Sequence, residues 1–242
     1  MSNPSTEMRE SRPFVQEMKF LISPGCADAI REWSRVKMSP DPHGGGETGD
    51  EYRVTSLYLE TDDFAVYERR GSYARSKYRV RRYGEGEGIF LERKLKTRNR
   101  VGKMRSIVDL REVNWLEQSE TPKRWAGHWF HQHEQARRLR PVCQISYRRT
   151  ARLAVSETGP IRLTLDQDLR AAPVREYAFT GYEDGVTLLP EQRILELKYK
   201  AEIPGLFKEL MQQFDLWPTT SSKYRMAVEA LELRKEVQCL GS

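Results

Sequence analysis

Residues 77–83, KYRVRRY, set Lys77, Arg79 and Arg81 two apart, with Tyr78 and Val80 between them. Side chains two apart in an extended chain share a face. The segment therefore reads as a strand with one cationic and one apolar side. The same beat returns four times. In QEMKFLI, Glu17 and Lys19 alternate with Met18, Phe20 and Ile22, and in IFLERKLK, Glu92, Lys94 and Lys96 oppose Ile89, Leu91 and Leu95. In IRLTLDQD, Arg162, Thr164 and Asp166 oppose Leu163 and Leu165; in ILELKYK, Glu196, Lys198 and Lys200 oppose Leu195, Leu197 and Tyr199. Five strands split this way leave two architectures open. An antiparallel sheet can pack one face and solvate the other, which is its ordinary state. Alternatively, the sheet closes into a barrel with helices outside and the charges inside.

The kind of charge pulls toward the closed form. Residues 74–106 hold twelve Lys and Arg against Glu85, Glu87 and Glu92, a net +9 in a chain whose total is +6. Solvated faces usually mix in Thr, Ser and Gln, whereas here Arg, Lys and Glu recur near the middles of strands. A barrel lined this way repels itself unless an anion sits inside, because unit charges about 4 Å apart interact by roughly 4 kcal/mol at an effective dielectric near 20. Too few carboxylates share the interior to neutralise it, and they read as hard oxygen ligands for Mn2+ or Mg2+, ions that accompany phosphates.

The rest of the chain fits an α+β fold. Strands are expected at 14–22, 52–60, 106–110, 142–155, 161–169 and 193–200, with a hairpin turning at GEGEG (84–88). Helices are expected at 23–36, 62–70, 111–140, 205–216 and about 222–236, with Trp115, Leu116, Trp125 and Trp129 buried. Residues 1–12 read as a disordered tail and 13–236 as a single domain. No apolar run approaches the roughly 18 residues of a membrane span. Cys26, Cys143 and Cys239 are scattered without CxxC spacing, which suits a reducing compartment. A cytoplasmic protein is expected.

Three other signals carry less. His128 and His131 in HWFHQH lack a third ligand of matching spacing. GEGEG lacks the P-loop lysine and joins two strands, so it reads as a turn. A nucleic-acid binder could use the basic segment with its tyrosines, but Tyr78 and Tyr83 fall among apolar positions, and Glu17, Glu92, Asp166 and Glu196 would repel a polyanion without a metal.

EMKF, TSLYLETDDFAVY, KYRVRRYG, FLERK, YRRTA, IRLTLDQDL, ILELKYK and SSKYRMA stand in the order found in the polyphosphate polymerase (VTC) domain. From about residue 14 to 230 the chain resembles this branch of the triphosphate tunnel metalloenzymes, as a stand-alone bacterial-type member. The resemblance implies an eight-stranded antiparallel β-barrel tunnel with helices packed outside. It further implies transfer of the γ-phosphoryl group of ATP onto inorganic polyphosphate, with Mn2+ or Mg2+ and release of ADP. Carried over by position, Lys19, Arg79, Arg81, Lys94 and Lys103 match phosphate-binding cations, with Arg105 beside Lys103. Arg149, Arg162 and Lys223 match cations that bind substrate and act in catalysis, and Glu196 matches the metal-binding glutamate. Lys198 shares the face of Glu196 and joins the substrate-binding set. The implied partners are ATP or another triphosphate and polyphosphate, with attachment to the inner membrane face through a membrane-protein partner left open. Two alternatives remain: a tri- or polyphosphate hydrolase of the same fold, and a non-enzymatic polyphosphate or nucleic-acid binder, nucleic acid being the less expected partner.

The resemblance and the facing argument conflict at one place. Alternation groups Arg149 with Ile145 and Tyr147, which read as apolar, and groups Arg148 with Gln144 and Ser146. A bulge would reconcile them. In TTSSKY, Thr220 stands where fungal relatives carry a further lysine, a departure that bears on chain elongation.

Overall fold

A computed structural model describes residues 12–45, 48–97 and 100–234; all but the last residue of the expected tail lies outside them. In chain order the elements are β1 (Arg12–Ile22), α1 (Pro24–Lys37), β2 (Ser39–Pro40), β3 (Glu51–Glu60), β4 (Ser76–Tyr83), β5 (Gly88–Thr97) and β6 (Arg100–Asp109). They continue with α2 (His128–Ala136), β7 (Arg140–Ser156), β8 (Gly159–Pro173), β9 (Val186–Leu188), β10 (Arg193–Tyr199), α3 (Gly205–Gln213) and α4 (Lys223–Ala230). The pairings are antiparallel and run β7–β3–β4–β5–β6–β1–β10–β8, and β8 pairs back onto β7. Eight strands thus form a circuit, with β2 and β9 as short additions on β7 and β8. The least regular seam is β1–β6, where the register shifts between Arg12↔Lys103 and Val15↔Val101.

Register settles which way the charges face. Lys19 stands opposite Glu196, Lys198 opposite Arg162, Arg79 opposite Glu92, and Glu92 opposite Arg105. The charged positions of neighbouring strands therefore share one face around the circuit. The apolar positions face outward, under the helices. Phe20, Leu163, Leu165, Leu195 and Leu197 pack with Ala27 and Ile30 of α1 and Phe207 and Leu210 of α3. Leu57, Tyr78, Val80, Ile89 and Leu91 pack with Trp129 and Phe130 of α2. Burying each such side chain is worth about 1.5–3 kcal/mol, so the ring is held from outside and its interior is released from hydrocarbon packing.

Two expected helices are different in the structure. Residues 62–70 form successive turns. Glu60, fully buried, accepts the N–H groups of Thr61, Val66 and Tyr67, and Phe64 and Arg69 take φ of 56° and 58°. The carboxylate draws these amides away from a helical ladder. Within 111–140, a 3-10 helix over Leu110–Glu117, capped by Asp109, is followed by a stretch containing Pro122 before α2 starts. Leu116, Trp125 and Trp129 are buried there, while Trp115 is half-buried. Among the described residues no helix is long and apolar enough to cross a membrane.

Candidate active site: a cation-lined tunnel

Among the described residues, Glu92, Asp166, Glu196 and Glu17 lie in the tunnel interior, and each is wrapped in cations. Glu92 is 1% exposed; Arg79 donates to it at 2.6 Å, Arg105 approaches at 3.2 Å, and Lys103 makes a third ion pair. Burial pushes the Glu92 carboxyl up, but Arg79, Lys103, Arg81 and Arg105 outweigh it and hold the group well below the usual range. Asp166, fully buried, takes both prongs of Arg149 at 2.6 and 2.7 Å and Lys223 at 2.6 Å. Glu196 receives Lys19 at 3.3 Å, Lys198 at 3.2 Å and Lys223 at 3.6 Å. Glu17 receives Lys19 at 3.3 Å and Lys94 at 3.1 Å. Burial and Glu196 raise Glu17, yet Lys198, Lys94 and Lys19 prevail and set it at about 2. These carboxylates are thus ionised and paired with the interior cations.

The cations still outnumber them. Arg81 is 4% exposed, and its polar partners are neutral: Nε donates to Ser56 Oγ at 2.9 Å and Nη2 to Tyr147 Oη at 3.2 Å. Lys77 donates to Ser222 Oγ at 2.8 Å, and no described carboxylate pairs with it. Arg162, at the far end of the ring, is held by Tyr52 Oη at 2.8 Å and Asp41 at 2.7 Å. The structure thus brings Lys19, Arg79, Arg81, Lys94, Lys103, Arg149, Arg162, Glu196 and Lys198 to one interior. Lys223 joins them from the first position of α4. A cation there faces the positive end of the helix dipole, and Asp166 and Glu196 offset that cost.

The conflict at Arg149 resolves differently from the expectation. The β3–β7 register runs unbroken from Ser56↔Ile145 through Val54↔Tyr147 to Tyr52↔Arg149, so these three residues of β7 do share a face. That face is the tunnel. The bulge belongs to β8, where Ser146↔Arg170 is followed by Arg148↔Gln167 and Asp168 takes φ of 53°. Arg148 points outward to Asp168 and Glu51. Tyr83 also departs from expectation: it lies inward, edge-on to Tyr52 at 5.7 Å and Phe90 at 5.1 Å, and its hydroxyl accepts from Arg105. Burial raises the Tyr83 phenol, but Arg81, Lys103 and Arg105 outweigh it and bring it down to about 7.

Among the described residues no cluster of three or more His, Cys, Asp or Glu could enclose a metal ion. Glu17 and Glu196 flank Lys19 as ionised hard oxygen donors. A pair of this kind fits Mg2+ or Mn2+, which keep water and phosphate oxygens in most positions. The α2 histidines sit elsewhere, His128 beside Thr121 and His131 on Gln118 O. An outer cavity of about 610 Å³ is lined by Arg31, Arg35, Arg148 and Arg193. Each of the four is already paired with a carboxylate, so this cavity is no rival for an anion.

The profile of the VTC domain family matches residues 14–232. No curated protein matches the chain. Among solved structures it is similar to a presumptive adenylate cyclase from Bacillus halodurans, with a TM-score of 0.56 and 16% identity over 88% of this chain and 95% of that one. It is also similar to a presumptive adenylyl cyclase from Hippeastrum, described as having a dominant triphosphatase activity, with a TM-score of 0.54 and 10% identity over 90% and 96% of the two chains. At such identities the likeness is one of fold.

Proposed function

The chain belongs to the VTC domain family, and from this premise we propose that it catalyses metal-dependent phosphoryl transfer within its tunnel, in its most specific form the ATP-driven synthesis of inorganic polyphosphate with release of ADP. The observation that carries the reading is Arg81, a buried guanidinium whose hydrogen-bond partners are hydroxyls. Glu92 acts on Arg81 only through space and is already shared by Arg79, Lys103 and Arg105, so a phosphate chain can give this buried charge a counter-charge of its own.

Phosphoryl transfer asks a protein mainly for positioning and charge stabilisation. Arg79 and Arg81 grip phosphate oxygens with paired N–H groups, while Lys19, Lys94, Lys103 and Lys198 act as movable point charges. Arg149, Arg162 and Lys223 stabilise the transferring group. Arg149 is already fixed by Asp166 and needs little reorganisation. Glu196, with Glu17 beside it, would hold the divalent ion, which when bound neutralises charge on the phosphate oxygens. The acceptor, a terminal phosphate, is a nucleophile at neutral pH, so no general base is required. With water as acceptor the same site becomes a triphosphatase, a second reading favoured by the activity described for the Hippeastrum relative.

The test is incubation of the purified protein with ATP and Mn2+, with products resolved by phosphorus NMR and gel. ADP with a growing mid-chain phosphate signal supports the polymerase. ADP with orthophosphate alone supports the hydrolase. No turnover with either acceptor refutes both.

A further inference from the structure

Three neighbouring strands meet in a rung of lysines. Lys77 of β4 stands directly opposite Lys94 of β5, which stands directly opposite Lys103 of β6. Like charges directly opposite across strands destabilise a sheet, so such a rung needs compensation. Lys94 has Glu17 at 3.1 Å and Lys103 has Glu92. Lys77 has neither. Its ammonium donates to Ser222 Oγ, the N-cap of α4, and lies 5.6 Å above the Tyr224 ring. That places it where the 219–222 segment crosses the ring: Thr219 donates to Lys19 O, and Lys19 donates back to Ser221 O. The largest charge effects on Lys77 come from the cations Lys94, Lys19, Arg69 and Arg225, with the Tyr224 ring beside it. The carboxylates nearby are engaged elsewhere, Glu17 with Lys94 and Lys19, and Glu60 with Tyr224 and the amides of Thr61, Val66 and Tyr67.

We propose that Lys77 is a further phosphate-binding residue of this tunnel, at the end closed by α4, and that it takes up a proton when a phosphate chain enters. The inference rests on the tunnel reading above and adds to it a residue and a proton linkage. Burial, followed by the charges of Lys94, Lys19, Arg69 and Arg225, brings Lys77 down to about 7. Phosphate oxygens arriving beside it reverse the sign of the local field and favour the ammonium. Above neutral pH, then, the site gains both an anion and the proton that helps to hold it. Arginine at this position would be charged throughout, and would keep the grip while abolishing the linkage.

The experiment is isothermal titration of tripolyphosphate at pH 8 in buffers of different ionisation enthalpy, for wild type, Lys77→Met and Lys77→Arg. Circular dichroism melts confirm that each variant is folded. Wild type is expected to take up about one proton more per site than either variant. Lys77→Met is expected to bind about tenfold more weakly, and Lys77→Arg to bind about as tightly as wild type. Wild-type affinity and proton count in Lys77→Met would overturn the inference while leaving the tunnel reading intact. Equal proton uptake in wild type and Lys77→Arg would assign the linkage to another group and overturn it as well. If wild type fails to bind tripolyphosphate, it is the tunnel reading itself that fails.

Discussion

Arg149 and Asp166 meet across β7 and β8 in a two-pronged ion pair of 2.6 and 2.7 Å, both side chains buried, and the same carboxylate also carries Lys223 at 2.6 Å. Asp166 thus fixes two of the three cations assigned to the transferring phosphoryl group before any substrate arrives.

Replacing Asp166 by Ala leaves Arg149 and Lys223 buried without that partner. Breaking a buried pair from one side typically costs about 3–5 kcal/mol, which lowers the melting midpoint of a chain this size by roughly 6–20 °C. Tripolyphosphate can supply the missing charge. Its addition should therefore raise the midpoint of Asp166→Ala by more than it raises that of wild type. Equal shifts in the two proteins would show that these cations do not face the substrate.

Arg79 and Arg81 are neighbours on one face but differ in what they leave behind. Arg79 is the bonded partner of buried Glu92, whereas Arg81 hydrogen-bonds two hydroxyls and lies over the Tyr83 ring. Arg81→Ala should weaken tripolyphosphate binding about tenfold or more while lowering the melting midpoint less than Arg79→Ala does. Arg79→Ala should lower both affinity and midpoint. Arg93, on the outer face over Tyr78, should leave affinity unchanged when replaced by Ala. Calorimetry on the three variants decides it, and equal losses of affinity in all three would reduce the tunnel to a basic surface.

The strand faces were legible because alternation is local: Lys77, Arg79 and Arg81 need only their own strand to declare a common side. What alternation cannot say is which side is the interior. Ile145 and Tyr147 looked like an outward apolar face, yet Tyr147 turns its ring inward and its hydroxyl accepts from Arg81. Tyr83 misleads for the same reason, since an aromatic residue serves a core or a polar tunnel equally well. The turns at 62–70 were hidden because Glu60, at the end of β3, outcompetes the helical ladder for amide groups, a long-range consequence of burial. The lysine rung was out of reach without register, which pairs Lys77, Lys94 and Lys103 from three strands.

Outside the tunnel, Glu134 of α2 is 6% exposed; burial pushes its carboxyl up to about 7, with Tyr177 opposing only in part and Glu117 adding to the rise. A carboxyl whose folded value exceeds its ordinary 4.5 binds more protons folded than unfolded between those limits. Its contribution to stability is therefore complete below about pH 4.5 and lost as pH rises through about 7. Glu134→Gln removes the titration. Measured as the difference between variant and wild type, the melting midpoint should rise by a few degrees at pH 8 and change little at pH 4.5. A constant difference across that range would exclude Glu134 as its source.

Glu196 separates binding from turnover. It sits among Lys19, Lys198 and Lys223, which outweigh its burial and hold it ionised. Glu196→Gln keeps the shape and removes the charge. The three lysines then have less counter-charge, so tripolyphosphate should bind as tightly as before or more tightly. The divalent ion loses its principal donor, and turnover of ATP should fall by about a hundredfold or more, since charge stabilisation by a bound metal is worth several kcal/mol. Titration with Mn2+ at fixed ATP should show the variant needing a higher metal concentration for whatever activity remains. Unchanged turnover at wild-type Mn2+ levels would remove Glu196 from the metal site. A parallel loss of tripolyphosphate binding would instead mean that the carboxylate orders the lysines rather than a metal.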